Sequence, residues 1–381
     1  MDSTKSFAVP GIIANRFRVD QDKRIGRGSF GQVFEVTEIK TQEKLAAKFE
    51  KKSKRAFLGY EFRILTSLQD EEGFTQVKFF GEQDNFLVLV IDLLGKNVED
   101  MLNSIQESGS EKKGFSMSTL SSFGIQSITR LEQLHSKGFI HRDIKPENFV
   151  FGLNNKENIV YLLDFGLSKK YIVDEKTQEH IPLRTDKSLT GTPRYATISA
   201  HLGMEMSRKD DLESLGYVLI YLLKAKLPWM GINKEKKKEP DKQMNKHDKD
   251  KDGVNKKKLN QQNEPPVTEK YKKIGDVKLS MPVEMLCNGC PMELASYLSY
   301  VRGLGFKEKP NYKYLRLLLF KMMIGGGCVV RLILNPKVQQ SQQQGITGSS
   351  IVSDKIGIIS TLSTRQRRSK SPMMTSTSIT P

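Results

Sequence analysis

The run His141-Arg142-Asp143-Ile144-Lys145-Pro146-Glu147-Asn148-Phe149, followed by Asp164-Phe165-Gly166, sets a carboxylate base and two metal ligands at the spacing that phosphoryl transfer requires. In that pattern Asp143 accepts the proton of an attacking hydroxyl, and the Asn148 side-chain oxygen holds a magnesium ion. Asp164 holds magnesium against the β- and γ-phosphates of ATP, where positive charge must offset the oxygens between which negative charge is redistributed. Lys145, two residues beyond the base, can neutralise the γ-phosphate while leaving room for an aliphatic hydroxyl. Asp-Phe-Gly alone is a weak signal that fits a turn after any buried strand. The combination is what carries the chemistry.

The surrounding segments read as elements able to hold these groups together. Residues 158–163 form an apolar run of strand length that returns Asp164 toward Asp143. Upstream, Ile25-Gly26-Arg27-Gly28-Ser29-Phe30-Gly31-Gln32-Val33 is a glycine-rich turn. A dinucleotide site would need a helix next, but Phe34 and Val36 alternate with polar residues, so a strand and a hairpin lid over phosphates are expected. In residues 45–50, Ala46-Ala47-Lys48 reads as a strand that points Lys48 at the α- and β-phosphates. Leu58, Phe62 and Leu65 recur at helical spacing, and Glu61 on that helix is the natural partner of Lys48. Glu71 and Glu72 are rivals that follow the helix, beside the turn residue Gly73. Residues 86–91 read as a buried strand and Asp92-Leu93-Leu94-Gly95 as a hinge whose backbone would bind adenine. The nucleotide lining is thus Ile25, Gly26, Arg27, Gly28, Ser29, Phe30, Gly31, Val33, Ala46, Lys48, Ile91, Asp92, Leu93 and Leu94, although Ile91 is equally compatible with an ordinary core position.

Together these motifs resemble those of protein kinases, and the segment after Asp164-Phe165-Gly166 narrows the likeness. Where many kinases have Ala-Pro-Glu, this chain has Leu189-Thr190-Gly191-Thr192-Pro193-Arg194-Tyr195-Ala196-Thr197-Ile198-Ser199-Ala200-His201-Leu202-Gly203. With His180-Ile181-Pro182, Ser207-Arg208-Lys209-Asp210-Asp211-Leu212-Glu213-Ser214 and Leu227-Pro228-Trp229, it resembles the casein kinase 1 family of serine/threonine kinases from about Phe17 to Met323. The resemblance implies an α+β, two-lobed fold: a small lobe (17–94) with an antiparallel sheet and one helix, and a mainly helical large lobe (95–325). Residues 1–16 are an extension. It also implies ATP and Mg2+, acidic or phosphorylated protein substrates, a monomer, and activity without loop phosphorylation. Two anion sites carry over: Arg142, Lys169 and Lys187 form one, and Arg194, Gly231 and Lys270 the other. The competing expectation is a pseudokinase scaffold that docks such partners without turnover.

The net charge of +17, from 61 basic and 44 acidic residues, favours acidic partners, but without interleaved aromatics no specific nucleic acid is expected. Three cysteines without dense spacing fit a reducing compartment, and Cys287-x-x-Cys290 lacks the second pair a zinc site would need. With no apolar run long enough to cross a bilayer and no signal peptide read, the expected location is the cytoplasm, with the nucleus a second candidate.

Two departures from the family stand out. Residues 232–268 read as a lysine-rich, disordered insert in which residues 248–253 imitate the start of a calcium loop that fails at Leu259. Residues 326–381 read as a disordered tail, beginning where Gly325-Gly326-Gly327-Cys328 replaces the usual closing segment.

Overall fold

Phe34 and Val36 are both buried, and their alternation with half-buried neighbours fixes the strand that follows the glycine-rich turn. The computed structural model describes residues 8–27, 31–53, 56–109, 113–231 and 267–325. In chain order the elements are β1 (Ile12–Ile13), β2 (Phe17–Arg27), β3 (Gln32–Glu38), β4 (Lys44–Lys51), α1 (Leu58–Ser67), β5 (Val77–Gln83) and β6 (Phe86–Asp92). There follow α2 (Val98–Glu107), α3 (Met117–Ser136), β7 (Phe139–Ile140), β8 (Phe149–Phe151), β9 (Val160–Leu162), β10 (Lys169–Lys170), β11 (Ile172–Asp174) and β12 (Glu179–His180). The chain then forms α4 (Ile198–His201), α5 (Arg208–Lys224), α6 (Val267–Ser280), α7 (Val283–Leu286), α8 (Met292–Gly303) and α9 (Tyr312–Gly325).

Among the described residues, β1 to β6 make one sheet in the order β1-β2-β3-β4-β6-β5, antiparallel throughout. Because strand side chains alternate, Leu45, Ala47 and Phe49 of β4 enter the core on one face with Phe17, Phe34, Val36, Val88 and Val90. Ala46, Lys48 and Glu50 consequently lie on the other face. Glu50 accepts hydrogen bonds from the backbone N–H groups of Phe57 and Leu58 at 2.9 and 2.6 Å, so a strand carboxylate caps the first turn of α1. Leu58, Ile64 and Leu65 bury the rest of that helix, and Phe62 packs against the same core while stacking on Phe80 of β5 with ring centroids 4.3 Å apart.

The large lobe is mainly helical, and among the described residues it has three short two-stranded ladders that pair β7 with β10, β8 with β9 and β11 with β12. Its centre is α5, buried all round from Asp210 to Leu222, with Asp210, Asp211 and Glu213 among its buried residues, and α3 and α8 pack against it. The last helix, α9, runs to Gly325 and buries Leu315, Leu319 and Met322 in the same core. Cys287 and Cys290 are free thiols in a turn closed by a bond from Cys290 N–H to the Cys287 carbonyl, and burial pushes Cys287 up to about 11. No helix among the described residues is long and apolar enough to cross a membrane.

The expected insert has its last two residues, 267 and 268, in α6. Its lysine clusters and calcium-loop imitation lie outside the described residues, as do Gly28, Ser29 and Phe30 of the glycine-rich turn, Cys328 and the tail.

Candidate active site

Lys48, on the inward face of β4, reaches Glu61 of α1 at 2.7 Å and Asp164 at 3.0 Å, so one ammonium bridges two carboxylates from opposite sides of the cleft. Burial alone would lower the lysine, but Glu61 and Asp164 together hold it above its ordinary value. Asp164, which burial would raise, is held low by Lys48; Glu61, deeper, is pushed up by its burial. The rivals are engaged elsewhere: Glu72 pairs with Arg130 at 3.1 Å and Glu71 accepts from Gln133.

Asp164 adopts a left-handed backbone with φ 64, which few non-glycine residues tolerate. The next side chain holds it there. Phe165 is fully buried, with its ring centroid 6.1 Å from that of Phe74 and 5.4 Å from that of His141.

Asp143, the expected base, lies on a loop that a second strained residue shapes. Arg142 has φ 70, and its N–H and that of His141 donate to the two oxygens of Asp211 at 2.8 and 2.7 Å. Asp211 also takes a 2.8 Å bond from His135, whose other ring nitrogen meets the Tyr312 hydroxyl. Burial would raise the Asp211 carboxyl, but His135 and these backbone donors hold it below the usual range. An acidic residue in the first turn of a helix ordinarily reads as a partner of the helix dipole, so nothing in local spacing marks Asp211 for this task.

Both oxygens of Asp143 are occupied. Oδ1 accepts from the Thr192 backbone N–H and hydroxyl, each at 2.8 Å, and Oδ2 accepts from Lys145 at 2.5 Å. Asn148 donates its amide N–H to the Asp143 carbonyl at 2.8 Å, and its own carbonyl accepts from Leu163 N–H, the residue before Asp164, at 2.9 Å. Among the described residues, the Asn148 side-chain oxygen and the second Asp164 oxygen have no protein hydrogen bond. Two such hard oxygen donors on adjoining segments fit a magnesium ion. Thr192 was not singled out by sequence reasoning; its signal was the turn Gly191-Thr192-Pro193, which seats it beside the base.

Along the nucleotide cleft, Val33 pairs with Lys48, Ala46 with Ile91, and Gly26 with Val33 across the expected hairpin. Gly31 has a local reason to be glycine, since a Cβ there would stand 2.1 Å from the Phe49 carbonyl oxygen. Ile25 and Arg27 are exposed at the end of β2. Asp92, expected to open the hinge, is the last residue of β6, and its carboxylate accepts from Gln76 N–H at 2.8 Å and meets Lys78 at 3.3 Å, so its side chain serves β5. Leu93 and Leu94 follow, half-buried and outside any helix or strand, and Gly95 N–H then donates to the Phe151 carbonyl.

Arg142, Lys169 and Lys187 do converge, but around a buried carboxylate. Glu205, 4% exposed, accepts from Lys169 at 2.8 Å and lies 3.8 Å from Lys187, while the Arg142 guanidinium donates to the Leu167 carbonyl at 2.7 Å. A cavity of about 140 Å³ opens beside Arg142, Lys187, Ser188, Thr190 and Glu205. The second expected cluster is less joined. Arg194 is half-buried over the Tyr195 and Tyr221 rings, each 5.7 Å away, and 4.0 Å from Glu99. Gly231, with φ 81, and Lys270, on the first turns of α6, are exposed, and among the described residues no hydrogen bond or ion pair links either to Arg194.

Residues 19–290 match a family model described as the protein kinase domain, a span of more than two thirds of the chain.

Proposed function

The chain belongs to the protein kinase family, and on that premise we propose that it is a serine/threonine kinase of the casein kinase 1 type, which phosphorylates hydroxyls preceded by acidic or phosphorylated residues. The observation that carries this reading is the engagement of both Asp143 oxygens by Thr192 and Lys145. These contacts fix the direction in which the carboxylate can take a proton from an incoming hydroxyl. They also keep a cation within reach of the phosphoryl group being transferred.

In this reading Lys48, aligned by Glu61, binds the α- and β-phosphates, and the hinge backbone from Asp92 to Gly95 takes the adenine. Asn148 and Asp164 would hold magnesium, which supplies positive charge to the β- and γ-phosphate oxygens. Lys145 steadies the γ-phosphate and Asp143 orients the substrate hydroxyl. Selectivity for acidic substrates is supported by the solvent-reaching Arg194 on the same loop as Thr192 and by the net charge of +17.

The test is transfer of labelled phosphate from Mg-ATP to two peptides, one with phosphoserine three residues ahead of the target serine and one without, with Asp164→Asn as the inactive control. Faster transfer to the phosphorylated peptide supports the proposal. Equal rates retain a kinase without the anion preference. Folded protein that transfers no phosphate to either peptide points to a scaffold.

A further inference from the structure

Lys278 of α6 is a fully buried lysine with no carboxylate at ion-pair distance among the described residues. Its ammonium donates to the carbonyls of Pro193 at 2.8 Å and Ala196 at 2.6 Å, and it lies 4.8 Å from the centre of the Trp229 ring and 5.2 Å from that of Tyr217. The Trp229 indole N–H donates to the carbonyl between them, that of Arg194, at 2.8 Å. Three carbonyls within four residues are therefore held from below by two side chains. The helix bearing Lys278 is also pressed against the segment: a Cβ on Gly275 would stand 2.9 Å from His201 Cβ.

An ammonium buried without a counter-ion destabilises a fold unless something else holds it there. Here the carbonyl dipoles of Pro193 and Ala196 and the faces of Trp229 and Tyr217 do so, and the bonds from Lys278 and Trp229 flank and include the backbone of Arg194. The charged and titratable groups facing Lys278 are His201 of α4, 3.4 Å away, Tyr217 and Glu213 of α5, and Arg302 of α8. Burial, the largest influence, pushes Lys278 down to about 7. A neutral amine still keeps two N–H donors for the two carbonyls, so the hold survives loss of the proton.

We infer that Lys278 is a positioning residue for substrate selection: with Trp229 it clamps residues 193–196 so that the Arg194 guanidinium is presented to the acidic or phosphorylated part of the substrate. This rests on the reading of Arg194 given above. The clamp acts on the loop that also carries Thr192, which holds the base, so the peptide's anchor and the reacting carboxylate are set by one rigid segment.

The experiment measures kcat/KM of the full chain on the phosphoserine peptide and on its unphosphorylated twin, and takes the ratio. It does so for the parent protein, Lys278→Met, Arg194→Ala and the double variant, with thermal melts to establish folding. Lys278→Met is expected to lower the ratio about tenfold, with no further fall when it is added to Arg194→Ala, as for two residues acting through one contact. Lys278→Gln, which restores neutral N–H donors, should recover part of the loss. If Lys278→Met does not fold, Trp229→Phe, which removes one N–H and keeps the ring, should lower the ratio in the same direction. A ratio unchanged in Lys278→Met but lowered in Arg194→Ala overturns the clamp and leaves the anion reading intact, as does a double variant whose losses add. A ratio unchanged in Arg194→Ala removes the anion reading, and the clamp with it.

Discussion

The hydroxyl and backbone N–H of Thr192 both donate to Oδ1 of Asp143 at 2.8 Å, across 49 positions of chain. Half of the base's carboxylate is therefore set by a different loop. Thr192→Val keeps the shape and the backbone donor but removes the hydroxyl. Its kcat is expected to fall roughly tenfold with little change in KM for ATP, because the proton acceptor loses alignment and not nucleotide contacts. Steady-state kinetics with both substrates varied decide the matter; a rise in KM for ATP alone would contradict this role.

Gly191, next to that threonine, has φ 86, and a Cβ on it would stand 2.4 Å from the Arg142 carbonyl oxygen. Gly191→Ala is therefore expected to push the loop off the base, with a loss of stability of about 2 kcal/mol and a larger proportional loss of activity. Denaturant melts beside initial rates measure both. Parent-like values in each would mean that the loop can move without consequence.

Glu205 sits among Lys169 and Lys187 and offsets their charge from inside the fold. Glu205→Gln leaves these lysines without their carboxylate, so inorganic sulfate should bind the adjoining cavity about fivefold more tightly. Thermal shift against sulfate concentration reads this out. Because Glu205 already offsets these lysines, Ser188→Ala combined with Thr190→Ala is expected to leave transfer rates near those of the parent protein.

Lys278 titrates near 7 when folded and near its ordinary 10.5 when unfolded. Between those values the unfolded chain binds a proton that the folded chain lacks, so this group makes stability rise with pH across that window. Thermal midpoints at pH 7 and pH 9 should climb in the parent protein relative to Lys278→Met. Parallel profiles for the two proteins would mean that the amine stays charged throughout.

The sequence alone determined the chemistry and the local frame, because those signals are short-range. Asp143, Lys145 and Asn148 fall within six residues, alternation at Phe34 and Val36 fixed a strand after the glycines, and helical spacing put Glu61 on the helix that meets Lys48. What only the tertiary structure decided are the partners contributed by distant segments. Asp211 and Thr192 orient the catalytic loop, Glu50 caps the helix that carries Glu61, and Glu205 fills the centre of an expected anion pocket. Each is a common polar side chain whose pattern in the chain equally fits a surface or a helix end. Lys278 is the clearest instance: a lysine in a polar helix reads as solvated, and only the packing of α6 on residues 193–201 removes it from water and turns its charge onto backbone carbonyls. Burial and long-range contact give such residues their roles, and neither is written in local spacing.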